Sequence, residues 1–363
     1  MNCDLDAGKT VCIGQPAELD AALVADAESR LQQARNRGGT PDWRQAPVDA
    51  RLASIAGNGR ILVQEAGTWI PNAWIVGDLH GDAVAAAAIT AWLARNAGPH
   101  DLVAFLGDLI DDLPESHAVL SIVDRFRSER VGCTVVLRGN HDTAIGVGSD
   151  GFVRSSVSPS TLAQEINELN AEECRDERSA CIETVRRFAS FIDAAPAALI
   201  LRDGTVLAHG GVPHVDLHAS IRCRESLSDA AELGDFEWSR LIPRVRRRIP
   251  IPLTETRSRE LGALDFLEFL EVASAAVGFR LERMVRGHCH HPARRELLDG
   301  PWQRRVLTIN SMAWVLPREL EPDGPAIPVI AHWQPDGPCR AVPIAIDDSW
   351  NRAMRIIPGS FLR

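Results

Sequence analysis

The sequence predicts an α/β protein whose buried strands end in loops bearing carboxylates, an amide and imidazoles. Three observations carry this. First, short apolar runs recur without polar alternation: Ala73-Trp74-Ile75-Val76, Leu102-Val103-Ala104-Phe105-Leu106 and Thr134-Val135-Val136-Leu137. Runs of this kind, bounded by glycine and polar residues, fit strands covered on both faces. Second, longer segments of helical composition lie between them. Third, each run leads into a glycine-containing motif, the place where open α/β sheets put their ligands.

Taken in order, residues 16–37 are rich in Ala, Leu and Gln and read as a helix stopped by Gly38-Gly39, with a linker from Gly39 to Pro47. Ile61 to Ile75 holds two strands around Gly67 and Pro71. Asp82 to Asn96 is an Ala-rich helix opened by an acidic residue, as the helix dipole favours, and Ser116 to Glu129 is a second. The polar stretch Asp150 to Pro159 reads as a loop at the rim of a site. Helices follow at about 160–172 and 178–194. Next come the strands Leu199-Ile200-Leu201 and Val206-Leu207-Ala208, turned by Asp203-Gly204, and later Arg283-Met284-Val285. From Pro317 to Asp348 the chain is rich in proline, and apolar stretches such as Ile327 to Ile330 read as edge strands.

Five motifs stand in fixed order at the strand ends. They are Gly77-Asp78-Leu79-His80-Gly81, Gly107-Asp108-Leu109-Ile110-Asp111, Gly139-Asn140-His141-Asp142, His209-Gly210-Gly211 and Gly287-His288-Cys289-His290. One Asp or His after a strand is more often a cap or a surface group. Eight such positions in series reverse that balance. Carboxylate, carboxamide and imidazole donors suit Mn, Fe or Zn, and the scarcity of thiolates argues against a structural zinc site. Two hard divalent cations held close together could attack a phosphate ester through a metal-activated water.

On these residues the chain resembles the calcineurin-like metallophosphoesterase superfamily and, within it, the serine/threonine phosphoprotein phosphatases in their bacterial-type form. Leu137-Arg138-Gly139-Asn140-His141-Asp142 nearly reproduces LRGNHE, and Ala208-His209-Gly210-Gly211-Val212 is similar to HGGL. Phe236-Glu237-Trp238-Ser239 resembles LLWSD, and Gly262 to Leu270 followed by Val285-Arg286-Gly287-His288 is similar to the helix and strand before RAHQ. The resemblance runs from about Ile61 to about Ser311. It implies a central β-sandwich of two mixed sheets flanked by helices, with the site in loops at one sheet edge. The implied organisation is an N-terminal helical extension over 1–60, a catalytic domain over 61–316 and a C-terminal extension over 317–363 whose edge strands pack on that domain.

Carried over by position, the resemblance assigns Asp78 and His80 to a first metal and Asp108 to a bridge between two. Asn140, His209 and His288 would hold the second, and His290 would complete the first, as in members with a GHxH ending. His141 would be the general acid, oriented by Asp111. Two divalent metal ions are implied, with manganese expected and iron or zinc as alternatives. Arg138 and Arg286, beside motif residues, are candidates for the substrate phosphate or for structural roles. The second motif departs from the family's GDxVDRG, because Asp112 stands where the arginine grips phosphate. An acidic residue there repels phosphate, so either another cation substitutes, with Arg257 and Arg259 as candidates, or the substrate is held differently.

The implied activity is that of a metal-dependent phosphoric ester hydrolase, a serine/threonine protein phosphatase acting on a phosphorylated protein. The substituted arginine favours an alternative, a small phosphorylated substrate such as a dinucleoside polyphosphate. A silenced phosphatase fold acting as a binding module is a third reading, against which the intact ligand positions weigh. A chain of 363 residues, 45% hydrophobic, can bury a sizeable core in one or two domains. A net charge of −10 disfavours nonspecific nucleic-acid binding. Eight cysteines without a CxxC pair, no leader-like segment and no run near ~18 apolar residues lead to the expectation of a cytoplasmic protein with no membrane partner.

Overall fold

The apolar runs become strands of two seven-stranded sheets packed face to face. The computed structural model describes residues 12–36, 41–44, 49–169, 175–214, 218–232, 234–245, 260–316, 319, 324–335 and 337–355. In the first sheet the order is β1 (Cys12–Ile13), β18 (Arg340–Ala345), β17 (Val329–Trp333), β5 (Ala73–Val76), β6 (Leu102–Phe105) and β7 (Thr134–Val136), and β2 (Ala17–Glu18) also pairs with β18. In the second it is β15 (Arg295–Leu298), β16 (Val306–Ile309), β14 (Arg283–Arg286), β11 (Thr205–Ala208), β10 (Ala198–Ile200), β4 (Ile61–Gln64) and β3 (Leu52–Ser54). Both sheets are mixed: β5, β6 and β7 are parallel while β17 runs against β5, and β14 is parallel to β11 and β16 while β15 is antiparallel.

Alternate residues of each strand enter different apolar layers. Ala73, Ile75, Leu102, Ala104 and Val135 meet Leu199, Leu207, Val285, Leu307 and Ile309 between the sheets. Trp74, Val76, Val103, Phe105 and Val136 face outward, beneath α1 (Ala21–Arg35), α2 (Ala83–Asn96), α3 (Ser116–Glu129), α5 (Thr161–Asn167) and α6 (Arg175–Ala194). The other outer face lies under α7 (Arg224–Ala231), α8 (Asp235–Trp238) and α9 (Ala263–Val277). The result is a helix–sheet–sheet–helix stack. Strands covered on both sides need no polar face, which is why their sequences do not alternate.

Local signals set the helix ends. The Asp82 carboxylate accepts the Ala85 N–H at 3.0 Å and caps α2, a contact worth about 1 kcal/mol. Asp20 does the same for α1 through Leu23, so this helix starts at Ala21 rather than near residue 16. Ala17 and Glu18 instead pair with β18. The two strands expected between Ile61 and Ile75 are present, but they belong to different sheets: the turn at Gly67, with φ +80°, lies between β4 and β5. Part of the expected loop after Asp150 forms a hairpin of β8 (Ile145–Val147) and β9 (Val153–Ser155).

The C-terminal strands correct an expectation. Those near Ile327 to Ile330 were expected at an edge, yet β17 lies inside the sheet between β5 and β18. Pro343 is tolerated in the interior strand β18 for a local reason. The Ile344 N–H bonds to Pro328 O, so position 343 faces the other side of the strand. There β1 pairs with residues 340–341 and β2 with 344–345, leaving Pro343 at the break between them. A missing donor costs nothing at that point. Among the described residues, no helix is long and apolar enough to cross a membrane.

Candidate metal centre

The C-terminal ends of β5, β6, β11 and β14, together with α4 (Asn140–Ala144) after β7, converge where the two sheets meet. A bridge between Asp78 and Asn310 joins them there, and the Ser311 N–H donates to Asp78 O at 2.9 Å. The turns that aim the side chains are tight. His80, Asp108, Asp111, Asp112 and His288 all have positive φ, between +44° and +72°. Left-handed backbone at a non-glycine residue costs about 1–3 kcal/mol and persists only where neighbours enforce it. Here the Leu79 and His80 N–H groups both donate to Asp108 O at 3.0 Å, and the His288 N–H donates to the Asp78 carboxylate at 2.9 and 3.0 Å. Gly287 is required by contact: a Cβ would stand 1.9 Å from Asp78 Oδ1.

Three clusters result, each with potential ligand atoms within 4.8 Å of one another: Asp78, His80 and His290; Asp108, His209 and His288; and His80, Asp112 and His141. In the first, His80 Nε2 is 2.9 Å from His290 Nε2, which is 3.2 Å from Asp78 Oδ2. In the second, His209 Nε2 lies 3.2 Å from Asp108 Oδ2 and 3.0 Å from Asn140 Oδ1. Asp108 joins the two groups, with Oδ2 also 3.5 Å from His80 Nε2. Its Oδ1 accepts the His141 backbone N–H at 2.9 Å.

Do these residues fit divalent cations? His288 Nε2 and His209 Nδ1 are buried without a hydrogen-bond partner, which an imidazole inside a protein rarely is. Oxygen and imidazole donors converge in these clusters. Burial opposes charge on Asp108, yet His209, His141 and His80 hold its carboxyl well below the usual range. Burial likewise works against a protonated His209, but Asp108 and Asp78 raise it to about 9. A proton on His209 thus occupies the negative field that a cation would fill. The donor set fits two adjacent hard or borderline cations.

Behind the ligands stand residues that fix them. His80 Nδ1 lies 3.1 Å from Asp112 Oδ2 and 3.2 Å from Ile110 O, so this nitrogen carries the proton and Nε2 faces the centre. Asp112, expected to confront the phosphate, is buried behind His80 instead. Sequence reasoning missed this role because the positive φ that turns Asp112 inward leaves no mark in the residue pattern. His290 Nδ1 is 3.6 Å from Glu319, whose carboxylate is gripped by Arg294 at 2.6 and 2.9 Å.

The clusters open into a cleft of about 420 Å³ lined by His80, Asp108, Asn140, His141, Arg240, His288, His290, Pro292 and Glu319. His141 Nδ1 lies 3.1 Å from Asp111 Oδ2, and Asp111 Oδ1 accepts the Leu162 N–H at 3.2 Å. Burial lowers the His141 pKa, but Asp108 and the Asp111 hydrogen bond outweigh it and raise it, favouring the proton-bearing ring.

The arginines expected at the phosphate fall elsewhere. Arg138 forms a largely buried ion pair with Glu237 at 3.1 Å. Arg286 is fully buried, its Nε donating to Thr308 Oγ1 at 3.1 Å and one terminal nitrogen to Leu241 O at 2.9 Å. Neither lines the cleft. Arg257 and Arg259 lie outside the described residues. Arg240, which the sequence reading passed over, does line it. The available signal was its place after Trp238-Ser239, where LLWSD carries an aspartate.

Two mixed sheets inside helical layers, with Asp, Asn and His delivered from strand ends of both, define a metal-dependent phosphoesterase. The chain belongs to the calcineurin-like phosphoesterase family, whose sequence pattern matches residues 71–292, and it is accordingly a phosphoric ester hydrolase. Among solved structures it is similar to a protein serine/threonine phosphatase from Saccharomyces cerevisiae with similarity to human phosphatase PP5, at 15% identity and a TM-score of 0.53, covering 90% of this chain and 89% of that one. It is also similar to a metallophosphoesterase from Sphaerobacter thermophilus, at 17% identity and a TM-score of 0.41, covering 78% and 92%. No curated protein matches the sequence.

Proposed function

We propose that the protein is a two-metal phosphomonoesterase acting on proteins phosphorylated on serine or threonine. The observation that carries the reaction is the His141–Asp111 pair at the cleft surface beside Asp108. Asp78, His80 and His290 would hold one cation and Asn140, His209 and His288 the other, with Asp108 between them. When bound, such a pair supplies Lewis acidity and a water of lowered pKa; manganese is our choice.

His141 donates its Nδ1–H to Asp111, and the raised pKa favours the doubly protonated ring, whose Nε2–H is the proton delivered to the departing alkoxide. Asp111 cannot swing away, since the Leu162 N–H holds its second oxygen and its own N–H donates to Ser116 Oγ at 2.9 Å. The phosphoprotein substrate is supported by the Leu137–Asp142, Ala208–Val212 and Trp238-Ser239 motifs. A cytoplasmic location accords with the free thiols of Cys133, Cys181, Cys223, Cys289 and Cys339.

One observation favours a second reading, the hydrolysis of small phosphate or pyrophosphate compounds. Asp112 leaves the second motif without a cation for a phosphoprotein phosphate. The test is a panel of phosphopeptides, nucleotides and dinucleoside polyphosphates offered to the manganese-loaded full chain, alongside metal analysis. Higher kcat/KM on phosphopeptides is the expected result. A preference for dinucleoside polyphosphates would transfer the assignment to the second reading, and a protein with neither metal nor turnover would be a binding module.

A further inference from the structure

We propose that Glu319 is a positioning residue for the metal centre: acting through His290, it sets the affinity of the cation held by Asp78, His80 and His290. The inference rests on the reading of the clusters as a two-cation centre and adds a residue from the C-terminal segment, beyond the family pattern at 71–292. Two imidazoles turn the same edge to one point. His80 Nε2 and His290 Nε2 lie 2.9 Å apart, with Asp78 Oδ2 at 3.8 and 3.2 Å from them. Their other nitrogens face carboxylates outside the proposed ligand set. His80 Nδ1 has Asp112 at 3.1 Å, and His290 Nδ1 has Glu319 Oε1 at 3.6 Å, within ion-pair reach. A carboxylate on that side keeps the proton on Nδ1, leaves Nε2 for the cation and raises the basicity of the ring.

The second group is built differently. His209 approaches Asp108 at 3.2 Å and Asp78 at 3.8 Å, both ligands in this reading, and His288 Nε2 is buried without a hydrogen-bond partner. The charge next to His288 is positive: Arg240, in β12 (Arg240–Leu241), reaches Cys289 Sγ at 3.8 Å, and β12 pairs in parallel with β13 (Glu260–Leu261). Glu319 therefore acts on one cation and not on both.

The contacts that deliver Glu319 leave it little freedom. Arg294, on the turn that follows His290, grips both of its oxygens at 2.6 and 2.9 Å. The Leu316 N–H donates to Glu319 Oε2 at 2.8 Å, and the Glu319 N–H returns to Leu316 O at 2.9 Å. Arg294 is fully buried with φ +56°, and its N–H donates to His291 O at 2.7 Å, so the turn that carries His290 also carries the clamp on Glu319. Before Glu319, the residues Met312, Trp314 and Leu316 pack with Leu113, just past the second motif. A carboxylate that only neutralised Arg294 would have no need of a histidine beside it. Glu319 instead stands on the cleft wall together with His290.

The experiment titrates manganese into the metal-free full chain by calorimetry, for wild type, Glu319→Ala and Glu319→Gln, with electron paramagnetic resonance spectra recorded on the same samples. Glu319→Ala should weaken one of the two manganese sites about 10- to 100-fold and leave the other at its wild-type affinity. Glu319→Gln keeps an oxygen for the Nδ1–H but not the charge, so its loss should be smaller. At a manganese level that just fills both wild-type sites, Glu319→Ala should give the spectrum of an isolated ion in place of a coupled pair. The Tm of the metal-free protein shows that each variant is folded, and Glu319→Gln carries the test where Glu319→Ala does not fold. Two wild-type affinities in a folded variant would overturn the assignment, and so would equal weakening of both sites. Failure of the underlying reading looks different. A wild-type chain that binds two manganese ions, one of them through Glu319, but hydrolyses no phosphomonoester would keep this role for Glu319 and lose the proposed reaction.

Discussion

His80 illustrates how groups behind the ligands decide what the centre can hold. Its Nδ1 has Asp112 at 3.1 Å and the Ile110 carbonyl at 3.2 Å, which leaves Nε2 for a cation. Replacing Asp112 by arginine would be the natural repair if this residue met the phosphate. In the structure it would instead push a buried guanidinium against the protonated side of His80. We expect Asp112→Arg to lower metal affinity about 10- to 100-fold, the usual effect of losing a group behind a ligand. Metal titration of the variant checks this, and a full complement of metal with a lower KM for phosphopeptides would show that Asp112 faces substrate. His141→Asn makes a separable prediction. Metal content should hold while turnover falls about 10²–10⁴-fold, and the loss should shrink for a nitrophenyl ester, whose leaving group needs little protonation. Equal losses on good and poor leaving groups would count against a proton-transfer role. The convergence of these Asp, Asn and His side chains was legible because each follows a strand in a recognisable order. Asp112, Arg240 and Glu319 were not, because their roles depend on backbone turns and neighbours that no short motif encodes.

At the level of elements, the sequence reading located strands and helices well and misplaced their partners. Ser116–Glu129 falls where expected, and β5, β6 and β7 coincide with apolar runs. The run from Ile61 to Ile75 gave no hint that its halves enter different sheets, since a turn at Gly67 reads alike in both cases. Proline made β17 and β18 look like edges, whereas the break between β1 and β2 accommodates Pro343 inside the sheet. The C-terminal segment also reaches the start of α2. Asp82 caps that helix, accepts the Ala313 N–H at 2.8 Å and is gripped by Arg355 at 2.8 and 2.9 Å, with both side chains buried. Arg355→Met should therefore cost about 3 kcal/mol, because it strands a buried carboxylate. The urea midpoint reads this directly. Asp82→Asn combined with Arg355→Met should recover part of the loss, as removing both charges hurts less than removing one. Additive losses in the double variant would mean the pair is not coupled.

For the molecule as a whole, the centre lies on a seam. Asp78, Asp108 and Asn140 come from the ends of the first sheet, and His209, His288 and His290 from the second. The sandwich itself was implied by family resemblance and not by composition, because pairings such as Ile330 with Val76 join residues too far apart for local pattern to reveal. Cations held across this seam would tie the two sheets together, so their removal should be felt globally. A ligand that binds only the native state adds about 2.7 kcal/mol when present at a hundredfold its dissociation constant. For a chain of 363 residues that corresponds to roughly 3–4 °C in Tm. We expect EDTA to lower the Tm of the manganese-loaded protein by at least this amount at neutral pH. The gap should narrow as pH falls below about 9, since His209, which burial lowers but Asp108 and Asp78 raise to about 9, must lose its proton to bind a cation. Calorimetric scans with and without chelator across that range give both readings. A Tm indifferent to EDTA at pH 7, in protein shown to release two metals, would mean that the sheets are held by their apolar interface alone and that the centre is a passenger on the seam.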